Sequence, residues 1–263
     1  MPYTVCDVHS SGYAGPVTAT PTPIPRALVI AWGLEEVPSR GPRREMTHDA
    51  IARAAVAIAD DGGLGAVTMA RVAESLGFTT MSLYRYVSSK DELVMLMQDA
   101  ATEVIGEVEV STDDWRQGLR DIATLHLRLY ARHPWFLDVP LSLEAVLMPN
   151  NIRVADATYR AMRTLPADDA LKQAVLLSLS MYVRAFGLLH RDLQSKDITD
   201  ISPATIELLG QVVTPERFPD LAPVFRSGGY AGDDPGNGDA TDDFGIGLEL
   251  FLSGLEARVA APR

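Results

Sequence analysis

Residues 66–90 read AVTMARVAESLGFTTMSLYRYVSSK. Within this stretch Ala73, Gly77 and Leu83 fall four and six residues apart. A small residue in one helix lets a second helix cross close to it. A glycine between them takes a positive φ without steric cost. An apolar residue in the second helix then packs back on the first. This is the grammar of a helix-turn-helix, whose second helix enters the DNA major groove.

The flanks extend the unit. Ile51, Ala54, Ala55 and Ile58 share one helical face, predicting a first helix from about Thr47 to Asp61, ended by Gly62 and Gly63. Thr68 is placed to cap the next helix, with Met69, Val72, Ala73 and Leu76 inward. A recognition helix is expected over Thr80–Tyr86. Ser88 and Asp91 have capping-box spacing and open a fourth helix reaching about Glu107.

Charge is divided along the chain. Residues 1–39 carry one basic and three acidic residues (net −2), 40–90 seven and five (+2), and 91–263 fifteen and twenty-seven (−12). The only positive segment holds the helix-turn-helix, so an acidic body would meet DNA through that face alone. A basic arm of Arg40, Arg43 and Arg44 precedes it and reads equally as a phosphate or minor-groove contact or as a solvated linker. Hydroxyls of Thr79, Thr80 and Ser82, with Met81, suit base edges and thymine methyls. Thr68, Arg71, Tyr84, Arg85, Tyr86 and Lys90 suit phosphates.

The rest of the chain also reads as helices, with no strand alternation, giving an all-α fold. A Pro-, Thr- and Gly-rich extension over 1–40 is expected to be mostly disordered, although the apolar run 28–34 can fold onto the body. The helix-turn-helix domain spans 41–92, and a larger helical domain for effector binding and dimerisation spans 93–263. The glycine- and aspartate-rich stretch 226–243 is expected to be a mobile loop. Ser111, Thr112, Asp113 and Asp114 form a capping signal for a helix ended by Pro134. Further helices are expected over 150–164, from Asp168 or Asp169 to about Asp192, from Ser202–Pro203, and from about Asp243 to Ala260.

Large side chains cluster in the second domain, as in a small-molecule pocket. The candidates are Trp115, Leu119, Ile122, His126 and Tyr130 on one helix, then Trp135, Phe136 and Met148. Tyr159 and Met162 follow, then Met181, Tyr182 and Phe186 on the long helix. Such stripes are also what ordinary helix cores look like. His126 is the best polar candidate, and the same position suits a buried histidine bonded to a carbonyl. Two seams predict a homodimer built on a four-helix bundle: Leu171, Val175, Ser178 and Ala185, and Phe244, Leu248, Phe251 and Leu255 with Gly247 beside them.

Residues VTMARVAESLGFTTMSLYRYVSSKDEL resemble the DNA-binding domain of the TetR family, with matching pattern over about 47–105. WRQGLRDIATLHLRLYARHPWF and DDFGIGLELFLSGLEARV resemble the start and closing helix of the tetracycline-repressor branch's regulatory domain. The resemblance implies a homodimeric, ligand-responsive repressor that leaves its operator when a small apolar effector binds. It also implies that Thr80, Met81 and Ser82 face bases, and that Thr68, Tyr84, Tyr86 and Lys90 meet phosphates. Members often carry a base-reading arginine where this chain has Ala70. That branch places a magnesium-ligating histidine where this chain has Pro140, so sensing of magnesium-tetracycline is not expected.

A transcriptional activator or an effector-independent DNA binder is the alternative. A helical enzyme is remote: the chain lacks a nucleophile elbow, a phosphate-binding glycine loop and a paired-histidine zinc motif. His9, His48, His126, His133 and His190 have no ligand spacing, so no metal or cofactor is expected. Cys6 stands alone, which fits a reducing compartment. With no signal segment and no apolar run of about 18 residues, a cytoplasmic protein without membrane contact is expected.

Overall fold

A computed structural model of the protein describes residues 24–34, 46–106, 109–194, 203–226 and 240–261. The regular elements among them are helical. Three helices, α2 (His48–Gly62), α3 (Met69–Ser75) and α4 (Thr80–Leu83), form the N-terminal unit. Each begins at a threonine whose hydroxyl accepts a backbone N–H three residues on: Thr47 from Ala50, Thr68 from Arg71, Thr79 from Ser82. These caps satisfy donors that a helix start leaves orphaned. Gly77 turns the chain between α3 and α4 at φ 76°. Ile51, Ala55, Val67, Val72, Leu83 and Val87 close the core at 0 % exposure.

The recognition helix is shorter than expected. Regular α-helix ends at Leu83, and Arg85 and Tyr86 bond back three residues to Ser82 and Leu83. That tightening draws Val87 inward and starts α5 (Lys90–Gly106). Its capping box lies one residue later than Ser88 and Asp91: Ser89 Oγ accepts from Glu92 N–H, while the Glu92 carboxylate receives the Ser88 hydroxyl.

The long α5 leaves the N-terminal unit and enters the second domain, where it packs on α8 (Pro149–Ala161). Asp99 of α5 accepts the Asn150 N–H at 2.8 Å, so a carboxylate from one helix caps the start of the other. Burial pushes the Asp99 carboxyl above its usual range. The other helices of this domain are α6 (Trp115–Arg132) and α7 (Leu143–Val146), which also touch α5, and α9 (Asp169–Gln194), α10 (Pro203–Val212), α11 (Leu221–Arg226) and α12 (Ala240–Ala260). Gly118 of α6 lets α8 approach closely, since a Cβ there would lie 2.8 Å from the Ala161 Cβ. Arg116 and Arg120 tie α6 to Glu249 and Glu256 of α12.

The apolar run near the N-terminus is structured. Residues 26–31 form helix α1, which packs against α5. Arg26 donates to the Tyr86 carbonyl at 3.0 Å and to Glu92 at 3.1 Å. Trp32 Nε1 donates to the Leu147 carbonyl at 3.0 Å. The apolar run 28–34, expected to be able to fold onto the body, lies within this ordered stretch of 24–34. Two anchors with sequence separations of 60 and 115 residues are invisible to local pattern. No helix among the described residues is long and apolar enough to cross a membrane.

Candidate functional site

The candidate DNA face is the exposed side of α3 and α4. Thr68, Arg71, Thr79, Met81, Tyr84, Arg85 and Lys90 are exposed, and Thr80, Ser82 and Tyr86 are half-buried. Met81 stands furthest out at 76 % exposure, between Thr80 and Ser82. The Tyr86 ring meets the His48 ring edge-on at 5.8 Å, and His48 Nε2 lies 3.0 Å from the Tyr86 carbonyl. Tyr86 is thus held from both α1 and α2. Arg71 lies 3.7 Å from Asp61, which turns its charge toward the end of α2. Arg40, Arg43 and Arg44 lie outside the described residues.

Beyond the N-terminal unit the structure separates the expected effector residues. Leu119, Ile122, Met148, Met162 and Trp135 are at most 2 % exposed. Phe136 is also buried. His126 Nδ1 sits 2.8 Å from the Ile122 carbonyl of its own helix, and burial pushes the imidazole below its usual value. Tyr182 donates to the Phe244 carbonyl at 2.7 Å and stacks on the Phe244 ring. The Tyr159 hydroxyl donates to Gln173 at 2.9 Å. Trp115 is half-buried at the start of α6, and Met181 is exposed on α9. Helical spacing marked these as apolar, but it does not separate a cavity wall from filled core.

Tyr130 and Phe186 do meet at an opening. A groove of ≈ 380 Å³ runs between α6 and α9, lined by Thr124, Leu127, Arg128, Tyr130 and Ala131 on one side. Pro134 closes one end, and Phe186, Gly187, His190 and Arg191 form the other side. Sequence reading missed most of these. The available signal was Gly187 inside a long helix, flanked by Phe186 and His190.

The groove is wired to the N-terminal unit. Arg191 Nη1 bonds Asp138 at 2.6 Å and the Pro134 carbonyl at 3.3 Å. Arg184 donates to the carbonyls of Leu137 and Val139 at 3.0 and 2.8 Å. These two arginines of α9 grip the 3₁₀ segment Pro134–Asp138. At its near end His133 Nδ1 and Trp135 Nε1 both donate to Asp60 Oδ1 at 2.7 Å. Asp60 sits in the last turn of α2, the first helix of the DNA-facing unit.

Burial within the protomer divides the residues of the two expected dimer seams. Val175, Phe244, Leu248 and Leu255 are buried within the protomer at 4–8 % exposure, and Leu171 and Phe251 are half-buried. Gly247 serves the interior: a Cβ there would lie 2.3 Å from the Tyr182 hydroxyl. Ser178 and Ala185 do face outward, together with Leu177, Met181 and Leu188 of α9. On α12 the outward apolar residues are Ile246 and Leu250, at 61 % and 71 % exposure. An α12 apolar on two sides gives no periodic clue to which side turns in.

A three-helix DNA-facing unit joined through one long helix to a larger helical domain is the build of a one-component transcriptional regulator. Residues 51–96 match the model of the bacterial regulatory proteins of the tetR family, and residues 109–259 match the tetracyclin repressor-like C-terminal domain. The chain belongs to the TetR family of transcriptional regulators. The HTH-type transcriptional repressor DrrR1 of Streptomyces coeruleorubidus is 33 % identical over 267 residues, covering 98 % of this chain and 95 % of its own. ActR of Streptomyces coelicolor, solved in complex with actinorhodin, superposes with a TM-score of 0.65 at 23 % identity, over 82 % of this chain and 100 % of its own. The same protein in complex with (S)-DNPA gives 0.63 at 25 % identity, over 82 % and 99 %.

Proposed function

We propose that the protein is a dimeric repressor whose two α3–α4 units hold a near-palindromic operator, and which is released when a small, largely apolar effector enters the groove between α6 and α9. The observation that carries this is the continuous set of contacts from the groove to the DNA-facing unit. Pro134 and Arg191 line the groove, Arg191 and Arg184 hold the segment 134–139, and that segment ends on Asp60 of α2. A ligand that binds only one arrangement of this segment biases the position of α2, and differential affinity of this kind is what drives release. The repressor direction follows the relative DrrR1, and a bound ligand in the same fold is seen in ActR. Met81 with Thr80 and Ser82 would read bases, and Tyr84, Arg85 and Lys90 would meet phosphates. The outward faces of α9 and α12 would pair across a twofold axis, setting the two units about 34–36 Å apart.

Selection of bound fragments from a random DNA pool tests the reading, since it reports site, palindromy and half-site spacing together. On the selected site, Tyr84→Phe and Lys90→Ala should weaken all sequences alike, and Lys90→Ala alone, which removes a charge, should cut the salt slope by about 0.9. Thr80→Ala and Met81→Ala should instead change sequence preference. A non-palindromic site, or identical behaviour of all four variants, overturns the assignment.

A further inference from the structure

We infer that the groove between α6 and α9 takes a planar aromatic carboxylate. The inference rests on that groove being the effector site and adds the chemistry of its ligand. Its volume of ≈ 380 Å³ falls in the usual range for small-molecule sites.

Shape gives the first part. Gly187 carries no side chain, and a Cβ at that position would lie 2.8 Å from Tyr130 Cδ2. The Tyr130 ring therefore lies directly against the backbone of α9. On the same helix the Phe186 and His190 rings, one turn apart, stack at an interplanar angle of 14°. Flat rings set along the groove favour a flat guest by offset stacking.

Charge gives the second. The chain carries a net charge of −12, yet the ionisable groups lining the groove are Arg128, His190 and Arg191 with the phenol of Tyr130. The carboxylates of Asp138 and Asp192 are both engaged by Arg191, at 2.6 and 3.0 Å. Arg128 is exposed and makes no ion pair among the described residues. A guanidinium fork is matched to a carboxylate and binds it through two parallel bonds. Because Arg128 stands at the rim, the anion stays wet while its ring system enters the groove, which avoids the cost of burying a charge. An aromatic amine of the same size would meet the unpaired guanidinium of Arg128 there.

The test titrates the full chain, by anthracene fluorescence, with anthracene-9-carboxylate, its methyl ester and 9-(aminomethyl)anthracene. Each titration is repeated on Arg128→Gln, whose exposed position tolerates the change, and each ligand is assayed for release of the selected operator. The carboxylate is expected to bind about tenfold tighter than the ester or more, one charge-assisted contact's worth. In Arg128→Gln that preference should fall to about threefold or less, with ester binding unchanged. Equal binding of ester and carboxylate, tighter binding of the amine, an unaltered preference in Arg128→Gln, or no binding of any of the three overturns the inference. Release of operator by the ester as readily as by the carboxylate sinks the anion preference and leaves the effector reading standing. Arg128-dependent binding without release does the reverse. Thr124→Trp, at an exposed position on the α6 wall of the groove, narrows it and should weaken carboxylate binding at least tenfold, and undiminished binding there overturns the inference by placing the ligand elsewhere.

Discussion

Removing the Asp60 carboxylate should uncouple the two domains at a defined energetic cost. The Trp135 indole is 2 % exposed and donates to Asp60 at 2.7 Å. In Asp60→Ala that N–H has no acceptor inside a packed wall, and an unsatisfied buried donor costs about 1–3 kcal/mol. The carboxylate itself is 33 % exposed, so it regains water in any open form, and no ion-pair energy is added to that figure. For a chain of this size the loss lowers Tm by about 2–4 °C per kcal/mol. Asp60→Asn keeps an acceptor oxygen and should lose less. The assay is a double-mutant cycle of Asp60→Ala and Trp135→Phe, followed by thermal unfolding at fixed protein concentration, because stability of a dimer depends on it. The coupling expected is about 1–2 kcal/mol, and Asp60→Ala keeps a residual cost in the Trp135→Phe background because His133 also loses its acceptor. Additive effects within about 0.5 kcal/mol would refute the hydrogen bond as the joint between the segment 134–139 and α2.

Three other outcomes follow from the geometry. Leu250→Lys places a charge on the outward face of α12 and should yield monomers in light scattering at micromolar concentration; an intact dimer would move the interface elsewhere. Gly247→Ala puts a methyl 2.3 Å from the Tyr182 hydroxyl, which must release the Phe244 carbonyl. Overpacking and a broken hydrogen bond together should cost about 1–3 kcal/mol in denaturant unfolding, and a neutral effect would show that α12 shifts freely. Burial depresses the His126 pKa in the folded state. The unfolded chain therefore binds that proton first, so this contribution is fully present above about pH 6.5 and is lost as pH falls below it. His126→Gln should flatten the stability profile below that pH, and an unchanged profile would place the acid sensitivity on other groups.

Local chemistry carried most of the fold in advance. Thr68 and Asp114 announced caps that the structure contains, at α3 and α6, and Asp168 does the same for α9 by accepting the Leu171 N–H. Gly77 announced its turn. These signals act over three or four residues, so a sequence displays them directly. What stayed hidden acts at distance. Helix α12 could turn either apolar side inward, and only contact with Tyr182 and α6 decides. The groove depends on Gly187 meeting Tyr130, 57 positions earlier in the numbering. Asp60 looked like a helix end, and its partners lie 73 and 75 residues away. The same limit explains why helical spacing marks large side chains such as Met148 and Met162 as buried without saying what they face.

The anchors of α1 also bear on how the chain is made. Synthesis runs from the N-terminus, so α1 leaves the ribosome first, but its Trp32 partner at Leu147 follows 115 residues later. At about 5–20 residues per second that is a wait of roughly 6–23 s. The Tyr86 and Glu92 partners of Arg26 arrive sooner, at separations of 60 and 66 residues. The DNA-facing unit can therefore fold and gain its first clasp while the groove is still unmade, and the second clasp closes only when the larger domain has arrived. During that interval a nascent chain would present a finished reading head without the domain that governs it.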